Sequence, residues 1–316
     1  MTDSRKITVL VCIALVLVVL YLGLGLNARN WDYALSRRIP KIAAITATSG
    51  AAAASTIVFQ TVTNNRILTP SIMGLDALYL LIQTSLLFFV GSNSPLVLNQ
   101  NWNFLIVMGV MIFFALLLYR IVYTKADLDI HLLLLVGLIL GTLFQSSTSF
   151  LQMVMDPNEF SIVQNRMFAS FNNVNTSVLT LSLVMLGGAL LYVSRYFAIL
   201  DVMALGREHA INLGVAYGQV IQNMLMVVAI LVSISTAMVG PIMFLGLLAA
   251  NLARELLASY KHSCLIGAAM LLSVISLVGG QLLVERVLNF AAPLSVLINL
   301  IGGLYFIYLL WKENLA

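Results

Sequence analysis

The side chains best suited to chemistry lie in three short stretches. MALGREHAINLGVAYGQ, Met203 to Gln219, sets Arg207, Glu208 and His209 side by side between two apolar runs. SRRIPK, Ser36 to Lys41, gathers the cations Arg37, Arg38 and Lys41, and SFNNVNTS, Ser170 to Ser177, is a cluster of polar side chains. General acid–base or hydrolytic chemistry would need paired carboxylates, an H-E-x-x-H or a Ser/His arrangement, and none falls within the apolar runs. Cys12 and Cys264 sit inside apolar runs with no C-x-x-C spacing and no flanking histidine, so both read as packing residues. The 14 methionines are scattered and read as adaptable packing, not a copper site. No catalytic, cofactor-binding or metal-ligating residue is assigned. What remains is recognition: cations that steer an acidic partner, and polar groups that line a path or cap a helix.

The elements that carry these stretches are set by hydropathy. The chain is 61% hydrophobic and only 9% charged, with a mean hydropathy of +1.03, against roughly 25% charged residues in a soluble domain. Its apolar runs are continuous rather than alternating. Backbone groups in hydrocarbon must bond within a helix or a closed barrel, so the expectation is an all-α integral membrane protein. Stretches long enough to cross about 30 Å of hydrocarbon occur near 7–26, 42–60, 72–90, 103–120, 131–152, 176–196, 217–238, 242–258, 263–283 and 294–311. That predicts ten spans, the first read as a span and not a cleaved leader. The eighth is marked off from the seventh only by Gly240-Pro241. An inward N-terminus leaves Arg5, Lys6, Arg66, Arg120, Lys125, Arg195, Arg207, Arg254, Lys261 and Lys312 inside. Arg29, Arg37, Arg38, Lys41, Arg166 and Arg286 then lie outside. This bias favours both termini on the cytoplasmic side and puts the Met203 stretch there, between spans six and seven. No run of Lys and Arg suggests nucleic acid.

The chain carries neither an evident ion relay nor a nucleotide-binding loop. Asp76, Arg195, Arg254 and Glu285 fall near span ends, which argues against a carboxylate proton relay. None of the five lysines follows a glycine, so there is no G-x-x-x-x-G-K-[ST] phosphate loop. Sodium coupling through carbonyls and hydroxyls stays open; if the chain transports against a gradient, the energy must otherwise enter from a partner, and a cytoplasmic amphipathic insert is where it would grip. Within the insert, Leu205-Gly206, Ala210 and Leu213-Gly214 form L-G-x-x-x-A-x-x-L-G. On a helix Ala210 and Leu213 would share a face, and Gly214 would end the helix.

That pattern resembles the coupling region of FecCD-type permeases, the membrane subunits of iron-siderophore and cobalamin ABC importers. Three further segments are similar to the family in order: RIPKIAAITATSGAAAASTIVFQ from Arg38, GPIMFLGLLAANLAR from Gly240, and PLSVLINLIGGLYFIYLL from Pro293. Departures are Asn65 to Pro70, which keeps only part of the family's N-P-L-A-x-P, Ala250-Asn251 before Arg254, and Gln281 where an Asp is usual. They are similar to a catechol-siderophore subgroup of the petrobactin and vibriobactin types. The resemblance implies one permease domain over 1–316, with residues 203–217 as the ATPase-coupling segment. Leu205, Gly206, Arg207, Glu208, Ala210, Leu213 and Gly214 would meet the ATPase, and Arg38, Lys41 and Arg286 an extracytoplasmic siderophore-binding protein, with Glu285 as the alternative to Arg286 at the third position if the alignment shifts by one residue. It further implies an inner or plasma membrane setting, a second permease subunit, ferric siderophore as cargo, and two cytoplasmic ABC ATPases that hold the ATP and Mg. The alternative is an ion-gradient carrier without an ATPase. The small-residue run Ser49 to Ser55 reads as close helix packing, and the Ser170 to Ser177 cluster as a helix cap.

Overall fold

The computed structural model describes residues 2–26, 31–125, 130–172 and 174–313, so Arg29 lies outside the described residues. Each apolar run becomes a helix. In chain order these are α1 (Asp3–Gly23), α2 (Trp31–Val62), α3 (Leu75–Val90), α4 (Pro95–Leu98), α5 (Gln100–Lys125) and α6 (Ile130–Val154). They are followed by α7 (Pro157–Arg166), α8 (Thr176–Ser194), α9 (Phe197–Met203), α10 (Arg207–Asn212), α11 (Tyr217–Val239), α12 (Leu245–Leu256), α13 (His262–Arg286) and α14 (Leu294–Glu313). All ten expected segments are helical, and seven are long and apolar enough to cross a membrane, while Leu75–Val90 and Leu294–Leu309 are shorter apolar helices. The eighth segment departs most from expectation. α12 has 12 residues, about 18 Å at 1.5 Å per residue, well short of the hydrocarbon thickness. Its start is delayed because Gly240 takes φ 103° and Pro241 has no N–H to give. The ten-span expectation is therefore met in apolar helices but not in ten full-length crossings.

α2 is the centre. In its most apolar window 78% of residues are buried, against 17% for α1 and 22% for α6, and it packs on α8, α11, α12 and α13. Its small residues make this possible: Ala44, Ala51, Ala53 and Ala54 are wholly inaccessible, and a Cβ added at Gly246 of α12 would fall against the Thr56 side chain and 2.8 Å from the Ala52 carbonyl oxygen. Close backbone approach is how helices associate where lipid removes any hydrophobic drive between them. α3 and α6 meet in the same way, with the backbone of Gly74 seated on Gly137 and Gly141. α2 also starts earlier than expected, at Trp31, so Arg38 and Pro40 lie within a helix and not before one.

α1 fixes the two ends of the bundle. Near its N-terminus, Asp3 accepts from the Ala258 N–H at 3.2 Å and Lys6 donates to the Leu256 carbonyl at 2.6 Å. At its C-terminus it meets the start of α2 and the end of α13.

Candidate functional site at the two ends of the bundle

The end holding the N-terminus of α1 carries the Met203 stretch. There the chain leaves α8 at Ser194, forms α9, turns at Leu205-Gly206, forms α10, turns again at Gly214 and enters α11. Gly206 and Gly214 have φ of 100° and 83°, values that favour glycine, and each would leave an added Cβ in open space. The requirement at both is backbone conformation, not room. The expected common face of Ala210 and Leu213 does not form. Ala210 is fully buried against the bundle, while Leu213 is 64% exposed and Leu205 59% exposed. α10 stops at Asn212, so Leu213 lies in the turn beyond it and escapes the helical spacing. The surface offered outward is Leu205, Arg207, Glu208, His209, Ile211 and Leu213, all exposed.

Immediately before this turn, α9 is tied to the core. The Asp201 carboxylate accepts from the backbone N–H of His262 at 2.7 Å and from its ring Nδ1 at 2.6 Å. The other ring nitrogen meets the Thr61 hydroxyl at 2.7 Å. One buried histidine thus joins α9, α13 and the end of α2. A second knot lies beside it: Arg254 of α12 donates to the Gln60 side-chain oxygen, and the Gln60 amide donates to the Arg66 carbonyl at 2.6 Å. Nothing local in the sequence pairs Asp201 with His262, because sixty residues separate them. The polar position at the start of α13 was the available signal. Polar contacts thus link α9 directly to α2.

The opposite end holds Arg38, Lys41 and Arg286 together, and the structure gives each a partner within the chain. Arg38 donates to the carbonyls of Leu22 at 2.7 Å and Leu24 at 2.9 Å, and Arg286 donates to Leu24 at 2.6 Å. Both thereby cap the orphan carbonyls at the C-terminal end of α1, where a cation is also favoured by the helix dipole. Lys41 pairs with Glu285 at 2.7 Å and donates to Asn172 at 2.9 Å. Glu285 further accepts from the Tyr21 hydroxyl and the Gln281 amide, each at 2.8 Å. Gln281 is one turn before Glu285, so an aspartate in its place would set two carboxylates against each other, whereas the amide donates. Arg37 stays exposed, over the Tyr33 ring at 5.8 Å.

Asn175 caps α8 through the Ser177 N–H at 2.8 Å, as its sequence context suggests. It also lines a cavity of about 200 Å³ with Gln83, Asn103 and Arg166. α7 lies outside the expected spans, and Asp156-Pro157 is its local signal, a cap followed by proline at the first helical position. Within the bundle, Thr48, Ser55, Thr56 and Asp76 line a smaller cavity of about 40 Å³ against α11 and α12. Among the described residues, no three His, Cys, Asp or Glu side chains cluster as metal ligands would.

Residues 7–312 match the model of the FecCD transport family. The chain is 55% identical over 314 residues to the petrobactin import system permease protein YclO of Bacillus subtilis (strain 168), covering 99% of both. It is 33% identical to the petrobactin import system permease protein FatC of Bacillus anthracis, over 89% of this chain and 79% of that one. Each organism has a second petrobactin permease that is more distant from this chain, YclN at 25% and FatD at 24% identity. A solved structure described as an inward-facing metal-chelate type ABC transporter superposes with a TM-score of 0.85 at 21% identity, over 98% of this chain and 100% of that one, which shows the shared fold. This multi-pass membrane chain belongs to the FecCD transport family, whose relatives here are permease subunits and not enzymes.

Proposed function

We propose that this chain is the membrane-spanning subunit of an ATP-driven importer for a ferric catecholate siderophore of the petrobactin class, and that it forms half of the translocation path. The observation that carries this reading is the 55% identity, end to end, to a permease named for petrobactin import. Residues 1–316 act as one permease domain. Its partner is a second, different permease, because the petrobactin systems of both organisms have a close and a distant relative of this chain. Two ATPases carry the ATP and Mg and grip residues 203–217 from the cytoplasm. There Leu205 and Leu213 supply apolar contact, and Arg207 and Glu208 supply polar contact. Gly206 and Gly214 set the turns, and Ala210 anchors the segment to the bundle. Both termini face the cytoplasm across the plasma membrane, or the inner membrane of a two-membrane cell. At the outer end a siderophore-binding protein docks on Arg38, Lys41 and Arg286. Arg38 and Arg286 keep spare N–H donors after capping α1, whereas a docking carboxylate at Lys41 has Glu285 to displace.

The test is ATP hydrolysis and siderophore uptake by the assembly co-purified on this chain and reconstituted in proteoliposomes. ATPase activity that rises with binding protein loaded with ferric petrobactin, together with ATP-dependent uptake, is the expected result. Purification without an ATPase, with uptake driven by an ion gradient, would replace this reading with that of a secondary carrier.

A further inference from the structure

Arg166 is the last residue of α7 and stands where two cavities meet. One is about 200 Å³ and the other about 610 Å³, and Gln100, Asn165, Arg166, Phe168 and Ser170 line both. The larger also reaches Asn172 and Gln281, which places the pair at the end of the bundle that holds Lys41 and Glu285. Among the described residues that line either cavity none is Asp or Glu, and Arg166 alone carries charge.

The guanidinium is held firmly but not neutralised. It donates to the Gln83 side-chain oxygen at 2.6 Å and to the Val97 carbonyl at 3.4 Å. Gln83 is itself fixed by donating to Asn103 at 2.9 Å. Ion pairs among the described residues join Lys6 to Asp3, Lys41 to Glu285 and His262 to Asp201, and Arg166 takes part in none of them. Glu159, on the same helix, is turned to the backbone N–H of Ser92. Five N–H donors in a planar fork, with two engaged by neutral oxygens, leave three for another group. Burial pulls the guanidinium below its usual pKa, yet an arginine stays charged at neutral pH. A partly desolvated cation facing polar cavities without a counter-ion is unfavourable by itself and is offset when an anion arrives. Lys41, at the same end, shows the contrast, since its charge is already met within the fold.

We infer that Arg166, oriented by Gln83 and flanked by Asn165 and Gln100, is an anion-recognising subsite of the outer vestibule, which takes a catecholate or carboxylate oxygen of the incoming metal chelate. The ligand's identity rests on the importer reading above, whereas the chemistry of the subsite does not. A guanidinium fork suits paired oxygens better than an ammonium does.

The experiment is equilibrium dialysis against the complete importer in nanodiscs. It uses two iron(III) probes of similar size, a synthetic hexadentate tris-catecholate carrying three negative charges and a neutral hexadentate trihydroxamate. The wild type binds the trianion, and binding weakens as salt rises. R166Q weakens trianion binding about tenfold, the size of a lost charge-assisted hydrogen bond, and leaves the neutral probe unchanged. R166K retains part of the affinity, and the double variant R166Q/Q100R, which returns a cation to the same cavities, recovers it. Three results would overturn the inference: R166Q binding the trianion as well as the wild type does, no saturable trianion binding by the wild type, or equal loss of both probes. ATP-driven uptake is measured separately. ATP-driven uptake together with any of those three binding results removes the subsite and leaves the importer standing, whereas Arg166-dependent binding without any ATP-driven uptake keeps the subsite and removes the importer.

Discussion

Truncating the two exposed leucines of the coupling turn is the most direct check on how the chain would engage an ATPase. Leu205 is 59% exposed and Leu213 64% exposed, on either side of the buried Ala210. Complete burial of a leucine side chain is worth about 1.5–3 kcal/mol. With about three-fifths of each surface still to be buried, and Cβ retained by alanine, each Leu→Ala change removes about 1–1.5 kcal/mol from docking. With the two contributions taken as additive, the double variant L205A/L213A loses about 2–3 kcal/mol, or about 30- to 150-fold in Kd. The assay is fluorescence anisotropy of labelled ATPase titrated with the permease pair in nanodiscs. Leu191→Ala is the control, because Leu191 is 70% exposed but lies on the lipid-length helix α8 and not on the turn. If L205A/L213A binds within twofold of the wild type, or if Leu191→Ala loses as much, apolar docking through this turn is refuted.

Three further outcomes are expected. Asp201→Ala strips the acceptor from two donors of His262 and should cost about 2–3 kcal/mol of stability, while Asp201→Asn keeps an oxygen and costs less. An unchanged thermal midpoint in Asp201→Ala would show that the contact is incidental. Gly246→Val should destabilise by about 1–3 kcal/mol or more through overpacking of α12 on α2. Adding Thr56→Ala should relieve only part of that, since the Ala52 carbonyl at 2.8 Å remains, and full rescue in a denaturation series would contradict the backbone contact. At the opposite end, Lys41→Met leaves Glu285 without its cation and should destabilise more than the double variant K41M/E285Q. A double-mutant cycle with no coupling energy would show that the pair contributes nothing.

How much of this was legible beforehand follows from the range of the forces involved. Hydropathy is local, so the apolar runs and the absence of strand patterning sufficed for a helical membrane protein, and each run became a helix. The turn at Gly214 was also readable, because glycine at positive φ is a local requirement. Asn175 capped its helix for the same reason. Helix length failed where the local signal was composition alone: the apolar run 242–258 gave a 12-residue helix, because its start waits on the turn that Gly240 at φ 103° and Pro241 impose. The face of Ala210 failed likewise, since a six-residue helix is too short to carry a side-chain stripe.

The partners of charged groups lay beyond the sequence altogether. Arg38 and Arg286 look alike on paper as cations at span ends, and only the meeting of α1, α2 and α13 turns both onto the carbonyls of one helix terminus. Lys41 and Glu285 lie 244 positions apart, and nothing local pairs them. Arg166 was one outer cation among six in the sequence. It took the packing of α7 against α3 to bury it beside Gln83 and leave its charge facing two cavities. Composition and spacing fix what a segment is by itself, because helix formation and solvation act along the chain. Which charge is met and which is left open is decided between helices, where burial and distance set the electrostatics.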